Sequence, residues 1–167
     1  KEPENYIVVQ AKSENIDTYS VRLKELIDVI KYKTGKPKVK IIAFSMGGLV
    51  ARRYVQIFGT NDVETLILIG TPNNGIYDNI NSYCPIIGEN LECRDMDANS
   101  LFINKLNRNA PGVKTHNIIG TGCLMNGNKG DGIVLEENAY LRNATNYYIN
   151  GTCNRLEPLH INLLNVD

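Results

Sequence analysis

The segment Val39-Lys-Ile-Ile-Ala-Phe-Ser-Met-Gly-Gly-Leu-Val-Ala-Arg-Arg-Tyr54 constrains this chain more than any other. Val39 to Phe44 is an apolar run of strand length. After Ser45, the residues Leu49, Val50, Tyr54, Ile57 and Phe58 recur at helical spacing. A serine pinned between a strand and a helix, with Gly47 and Gly48 after it, has the layout of a nucleophile elbow. Such a turn is sharp, so its flanks are expected to be small: Ala43 two residues before the serine and Gly47 two after. The strain holds the hydroxyl outward, above a helix N-terminus that favours developing negative charge. A strand-to-helix turn with a small polar residue is the plainer reading of the same stretch.

The surrounding chain supports a parallel α/β sheet. Tyr6 to Gln10 reads as a first strand. Ser13, Asn15 and Asp17 offer caps for a helix whose apolar face is Ile16, Tyr19, Leu23, Leu26, Ile27 and Ile30, stopped by Gly35 and Pro37. Val63 to Ile69 is a continuous apolar strand running into Gly70-Thr-Pro-Asn-Asn-Gly75. Strands buried on both faces and alternating with helices are the mark of a parallel sheet. From Ile76 to Gly112 the alternation lapses, leaving a short helix around Leu101, Phe102, Ile103 and Leu106. A stretch this long reads as a lid or cap over the sheet's working edge, or as a surface excursion. Val113 to Ile119 is a strand opening into a glycine-rich loop, Gly120 to Gly132. Glu136 to Leu141 reads as a brief helix, Thr145 to Asn150 as the last strand, and Leu159 to Leu164 as the start of a terminal helix.

At 167 residues the chain is expected to be one domain with a real core. Eighteen basic and eighteen acidic side chains cancel, so no nucleic-acid partner is implied. No apolar run approaches the length of a membrane span, and no cofactor motif is present. The four cysteines form no C-x-x-C, and with two histidines a zinc site is not expected. Their even count fits two disulfides in an oxidising compartment, with free buried thiols as the alternative. Asn143-Ala-Thr and Asn150-Gly-Thr are glycosylation sequons.

A serine hydroxyl needs a base, and that base needs a carboxylate to orient it. His116 lies within an apolar strand and reads as structural or exposed. His160 follows the last strand, at the carboxyl edge where parallel sheets gather their functional groups. Asp131, between Gly130 and Gly132, is the best placed acid, although a glycine-flanked aspartate also suits a plain turn. Asp95 and Asp97 are weaker candidates, since their segment reads as mobile. Ser45, Asp131 and His160 stand in the order Ser…Asp…His.

These segments together resemble the α/β-hydrolase lipases and esterases. Ala43-Phe-Ser-Met-Gly-Gly-Leu-Val-Ala-Arg52 resembles their nucleophile region, and Ile69-Gly-Thr-Pro-Asn-Asn-Gly75 the segment after the following strand. Gly130-Asp-Gly-Ile-Val134 is similar to their aspartate loop, and His160 with Leu163 and Leu164 to their histidine loop. The resemblance implies an α/β-hydrolase fold, a mostly parallel sheet with helices on both faces, over residues 1–167, with 76–112 as the lid. It implies Ser45 as nucleophile, His160 as general acid–base, Asp131 as its orienting partner, and the Met46 N–H as an oxyanion donor. It also implies the pairs Cys123–Cys153, tying the acid and base loops, and Cys84–Cys93.

One departure stands out. The family has an earlier strand with a His-Gly type loop that supplies a second oxyanion donor, and no such motif occurs here. A separate N-terminal segment is therefore expected to supply that strand and donor. The activity implied is that of a secreted serine carboxylic-ester hydrolase acting through an acyl-enzyme on lipid or small ester substrates, with peripheral contact to lipid surfaces. An acyltransferase would use the same residues, and a non-catalytic binding module on the same scaffold is the rival from another class.

Overall fold

The computed structural model describes residues 13–77, 84, 90–153 and 158–165. The expected strand at Tyr6–Gln10 and residues 78–83 and 85–89 of the segment 76–112 lie outside them.

The first helix, α1 (Ile16–Thr34), starts where Asn15 Oδ1 accepts the Thr18 N–H at 2.9 Å, and stops at Gly35 in the left-handed conformation, φ 65°. Its buried stripe is narrower than the sequence suggests: Ile16, Ser20 and Ile27 are buried, whereas Leu26 and Ile30 face outward. Next come β1 (Val39–Phe44), α2 (Met46–Phe58) and β2 (Val63–Ile69). Two short helices, α3 (Asn90–Met96) and α4 (Leu101–Leu106), precede β3 (Lys114–Thr121).

The stretch expected to be a glycine-rich loop is partly ordered as an antiparallel hairpin, β4 (Cys123–Met125) with β5 (Asn128–Gly130). Asn126 and Gly127 turn it with φ of 51° and 87°. An Asn-Gly pair with both φ positive matches the twist of two antiparallel strands, so this dipeptide was the overlooked signal. The remaining elements are α5 (Glu136–Ala139), β6 (Thr145–Asn150) and α6 (Leu159–Asn162).

The main sheet has the order β1-β2-β3-β6 and every pairing in it is parallel. Ala43 pairs with Leu68, Leu68 with Asn117 and Asn117 with Asn146. That face meets α1 and α2, where Ile27, Ala51, Tyr54 and Val55 pack with Ala43, Leu66 and Leu68. On the other face α6 sets Leu159 and Leu163 against Ile69 and Ile149. The protein therefore has an α/β-hydrolase fold, with helices on both sides of a mostly parallel sheet.

Helices α3 and α4 are anchored. Cys93, Met96, Ile103 and Leu106 share one buried cluster with Ile16 of α1 and Leu49 of α2. Polar contacts secure α3 to the start of α1. Glu92 accepts from Ser13 Oγ at 2.5 Å and from Tyr19 Oη at 2.8 Å, and Asp95 accepts the Ile16 N–H at 2.7 Å. Both expected disulfides, Cys84–Cys93 and Cys123–Cys153, are present.

Candidate active site

The elbow is built as its sequence implies. Ser45 lies between β1 and α2 with φ 51° and ψ −127°, a conformation that non-glycine residues rarely hold and that surrounding structure must enforce. Its own N–H is tied to Ile69 O at 2.8 Å, and the Gly48 N–H donates to Ser45 O at 3.0 Å. Met46 opens α2, so its N–H has no carbonyl one turn earlier to bond.

The steric demand at the turn falls on a different residue from the one expected. A Cβ added at Gly47 would meet Ala43 Cβ at 3.9 Å, an ordinary contact. One added at Gly48 would lie 2.0 Å from Thr71 Oγ1 and 2.8 Å from Thr71 Cβ. The loop leaving β2 thus presses on the first turn of α2, and only glycine lets them meet.

The structure brings Ser45, His160 and Asp131 together. His160 Nε2 stands 2.9 Å from Ser45 Oγ, and His160 Nδ1 stands 2.7 Å from Asp131 Oδ2. A carboxylate oxygen only accepts, so Nδ1 carries the hydrogen and Nε2 is left to accept the serine O–H. The other carboxylate oxygen, Oδ1, accepts the N–H groups of Ile133 at 3.0 Å and Val134 at 2.7 Å. His160 lies in the first turn of α6 rather than in a free loop, and its N–H donates to Asp131 O at 2.8 Å. All three residues are buried, with His160 and Asp131 each 1% exposed.

Several neighbours of this chain were not singled out in the sequence. The Phe44 ring lies 4.9 Å from the His160 ring, centroid to centroid, tilted by 43°. A Cβ on Gly120 would meet Asp131 Cβ at 2.6 Å, and one on Gly70 would meet the His160 ring at 3.1 Å. Glycines that end strands at the carboxyl edge were the available signal, since side chains from later loops must pass there.

The other candidates lie elsewhere. His116, on β3, faces outward with Nδ1 3.1 Å from Tyr147 Oη. Asp95 caps the start of α1, and burial, followed by the nearby charges of Asp17 and Glu92, raises its carboxyl above the ordinary range. Asp97 accepts the Asn99 N–H within its own turn. Among the described residues no group of three or more His, Cys, Asp or Glu is arranged to hold a metal ion, and no helix is long and apolar enough to cross a membrane.

Solved structures share this architecture. The mature lipase BlEst2 of Bacillus licheniformis superposes with a TM-score of 0.68 at 19% identity, over 84% of this chain and 67% of its own. The lin2722 gene product of Listeria innocua gives 0.59 at 19% identity, over 83% and 58%. The phospholipase PlaB of Legionella pneumophila, in complex with thio-NAD, gives 0.55 at 14% identity, over 65% and 26%. This chain thus spans 67% of the first of these proteins and less of the others. No curated protein matches it in sequence. Residues 4–147 match the family model of palmitoyl protein thioesterase. The chain belongs to the palmitoyl protein thioesterase family, a lipase- and esterase-like group of hydrolases on the α/β-hydrolase fold.

Proposed function

We propose that this protein is a serine hydrolase of acyl esters and thioesters, with Ser45 as nucleophile, His160 as general acid–base and Asp131 as the group that orients and stabilises the imidazole. The observation that carries the reading is the unbroken hydrogen-bonded chain from Asp131 Oδ2 through both ring nitrogens of His160 to Ser45 Oγ. Ser45 Oγ attacks the acyl carbonyl carbon as its proton passes to His160 Nε2. The oxyanion forms against the Met46 N–H at the head of α2. Collapse breaks the bond to the leaving group, which takes the proton from Nε2 and departs as an alcohol or a thiol. A water activated by the same nitrogen then releases the acid from the acyl-enzyme. The family's named substrate class supports including thioesters, and lipid-like acyl chains are the expected acyl part.

Two disulfides fit an extracytoplasmic protein, and secretion is part of this proposal. The segment 76–112, held down at α3 and α4, is proposed to cap the acyl-binding side. A fluorophosphonate probe tests the central claim, alongside hydrolysis of p-nitrophenyl acyl esters and an S-palmitoyl cysteine peptide. Labelling and turnover that disappear in Ser45→Ala support it. A folded protein that neither labels nor hydrolyses either substrate would be the non-catalytic binding module instead.

A further inference from the structure

Arg52 points the charge of α2 inward. It is 3% exposed, and burial lowers its guanidinium to about 10, so it stays cationic at neutral pH. Nη1 donates to the carbonyl oxygen and Oδ1 of Asn73 at 3.0 and 3.1 Å, and Nη2 donates to Asn107 Oδ1 at 2.7 Å. Among the described residues Nε has no hydrogen-bond partner. Every acceptor is a neutral carbonyl or amide. A buried cation without a carboxylate is unusual, because desolvation is normally offset by a counter-charge. The adjacent Arg53 follows the usual rule, with Nε and Nη2 on Asp17.

Arg52 forms part of the wall of a cavity of about 290 Å³ away from the Ser45 chain. It lies seven residues beyond Ser45, about 10 Å along the helix axis. Arg108 and Arg142 also line this cavity, with Asn109 and Asn143 beside them and no aspartate or glutamate. Among the described residues neither Arg108 nor Arg142 makes an ion pair, and neither Asn109 nor Asn143 spends its side-chain amide on a hydrogen bond. Three arginines lining one hollow with no acidic side chain beside them leave a local excess of positive charge that favours an anion. They arrive from separate segments: α2, the loop after α4 and the turn before β6. A planar carboxylate presents its two oxygens in one plane, whereas phosphate or sulfate offers acceptors in several directions, which suits donors supplied from three separate segments.

We propose that the cavity bounded by Arg52, Arg108 and Arg142 is a binding site for a tetrahedral oxyanion, phosphate or sulfate, separate from the Ser45–His160–Asp131 chain. Arg108 and Arg142 grip the anion, and the fixed charge of Arg52 attracts it from behind. The site would bind whether or not Ser45 is catalytic.

The test is titration calorimetry of the intact protein with sodium phosphate, sulfate and acetate, at constant ionic strength made up with sodium chloride. Phosphate or sulfate is expected to bind saturably and acetate much more weakly. The exposed pair Arg108→Ala/Arg142→Ala should bind phosphate about ten- to a hundredfold more weakly. Its melting temperature in chloride should match the wild type, showing that the fold is kept. A second arm, sedimentation with phosphatidylcholine vesicles with and without phosphatidate, distinguishes a lipid headgroup from free phosphate. Retention on phosphatidate that needs both arginines, without binding of free phosphate, would assign the anion to a headgroup. Equal binding of acetate, undiminished binding by the double variant, or no binding in either arm would overturn the site.

Discussion

Asp131 and His160 hold each other twice. The His160 N–H donates to Asp131 O at 2.8 Å, and His160 Nδ1 donates to Asp131 Oδ2 at 2.7 Å. The backbone bond sets where α6 begins, and the side-chain bond sets how the imidazole turns. With Oδ1 held by two further N–H groups, the carboxylate has little freedom to rotate. Nε2 is thereby aimed at Ser45 Oγ before any substrate arrives.

Asp131→Asn keeps an acceptor for Ile133 and Val134 but faces Nδ1 with an amide, which favours the wrong imidazole tautomer. Turnover should fall about ten-thousandfold. For Ser45→Ala the loss should be about a millionfold. Steady-state kinetics on a p-nitrophenyl ester, with melting temperature as the control for folding, checks both. A tenfold or smaller loss in Asp131→Asn would remove Asp131 from its proposed role.

Gly48→Ala should destabilise the protein by more than about 2 kcal/mol, because its methyl would overlap Thr71. Among the described residues the buried Thr71 Oγ1 has no hydrogen-bond partner, so Thr71→Ala alone should cost little. The double variant should recover part of the loss, since Oγ1 and Cγ2 are the nearest atoms and only Cβ stays. Urea denaturation of the four proteins in the cycle measures that coupling. Strict additivity would show that the clash is relieved elsewhere.

Removing Cys123–Cys153 by Cys123→Ala/Cys153→Ala should cost about 3–4 kcal/mol, as expected for a loop of this size. Cys123 Sγ lies against Gly132, next to Asp131, so turnover should fall as well. Cys84–Cys93 closes a shorter loop and packs with Ile16 and Leu49, so removing it should affect stability more than turnover. Melting curves and kcat for the two pairs separate these effects.

Asp62 accepts from Lys31 Nζ and, at 3.0 Å, from Tyr54 Oη, and the Lys31 contact above all holds its carboxyl below the ordinary range. A depressed folded value gives stability that is present above the unfolded pKa of about 4 and is lost as pH falls through the folded value. Asp62→Asn should therefore cost about 1 kcal/mol near neutrality, with the gap shrinking as pH falls below about 4 and through the depressed folded value. Urea midpoints across that range test the convergence. A constant gap at every pH would assign the effect to packing.

Much of the sheet was legible because its signals are local. Val39–Phe44, Val63–Ile69 and Thr145–Asn150 form strands with the expected limits, since runs rich in apolar, β-branched or aromatic side chains and their flanking turn residues mark them. The outward-facing Leu26 and Ile30 were not, because periodicity reports which residues share a helix face and not how wide a strip its neighbours cover. The hairpin at Asn126-Gly127 is a local signal that composition masked.

The sequence by itself determined the elbow, the chain order of Ser45, Asp131 and His160, and the parallel sheet that would bring them to one edge. These follow from spacing and residue chemistry, which neighbours along the chain carry. Tertiary structure decided the rest. It set Asp131, and neither Asp95 nor Asp97, against His160, and it moved the strict steric demand from Gly47 to Gly48 by laying Thr71 across the helix. It also gathered Arg52, Arg108 and Arg142 around one cavity in a chain whose charges balance overall. Each of these depends on contacts between residues far apart in sequence, and such contacts exist only once the segments carrying them have packed.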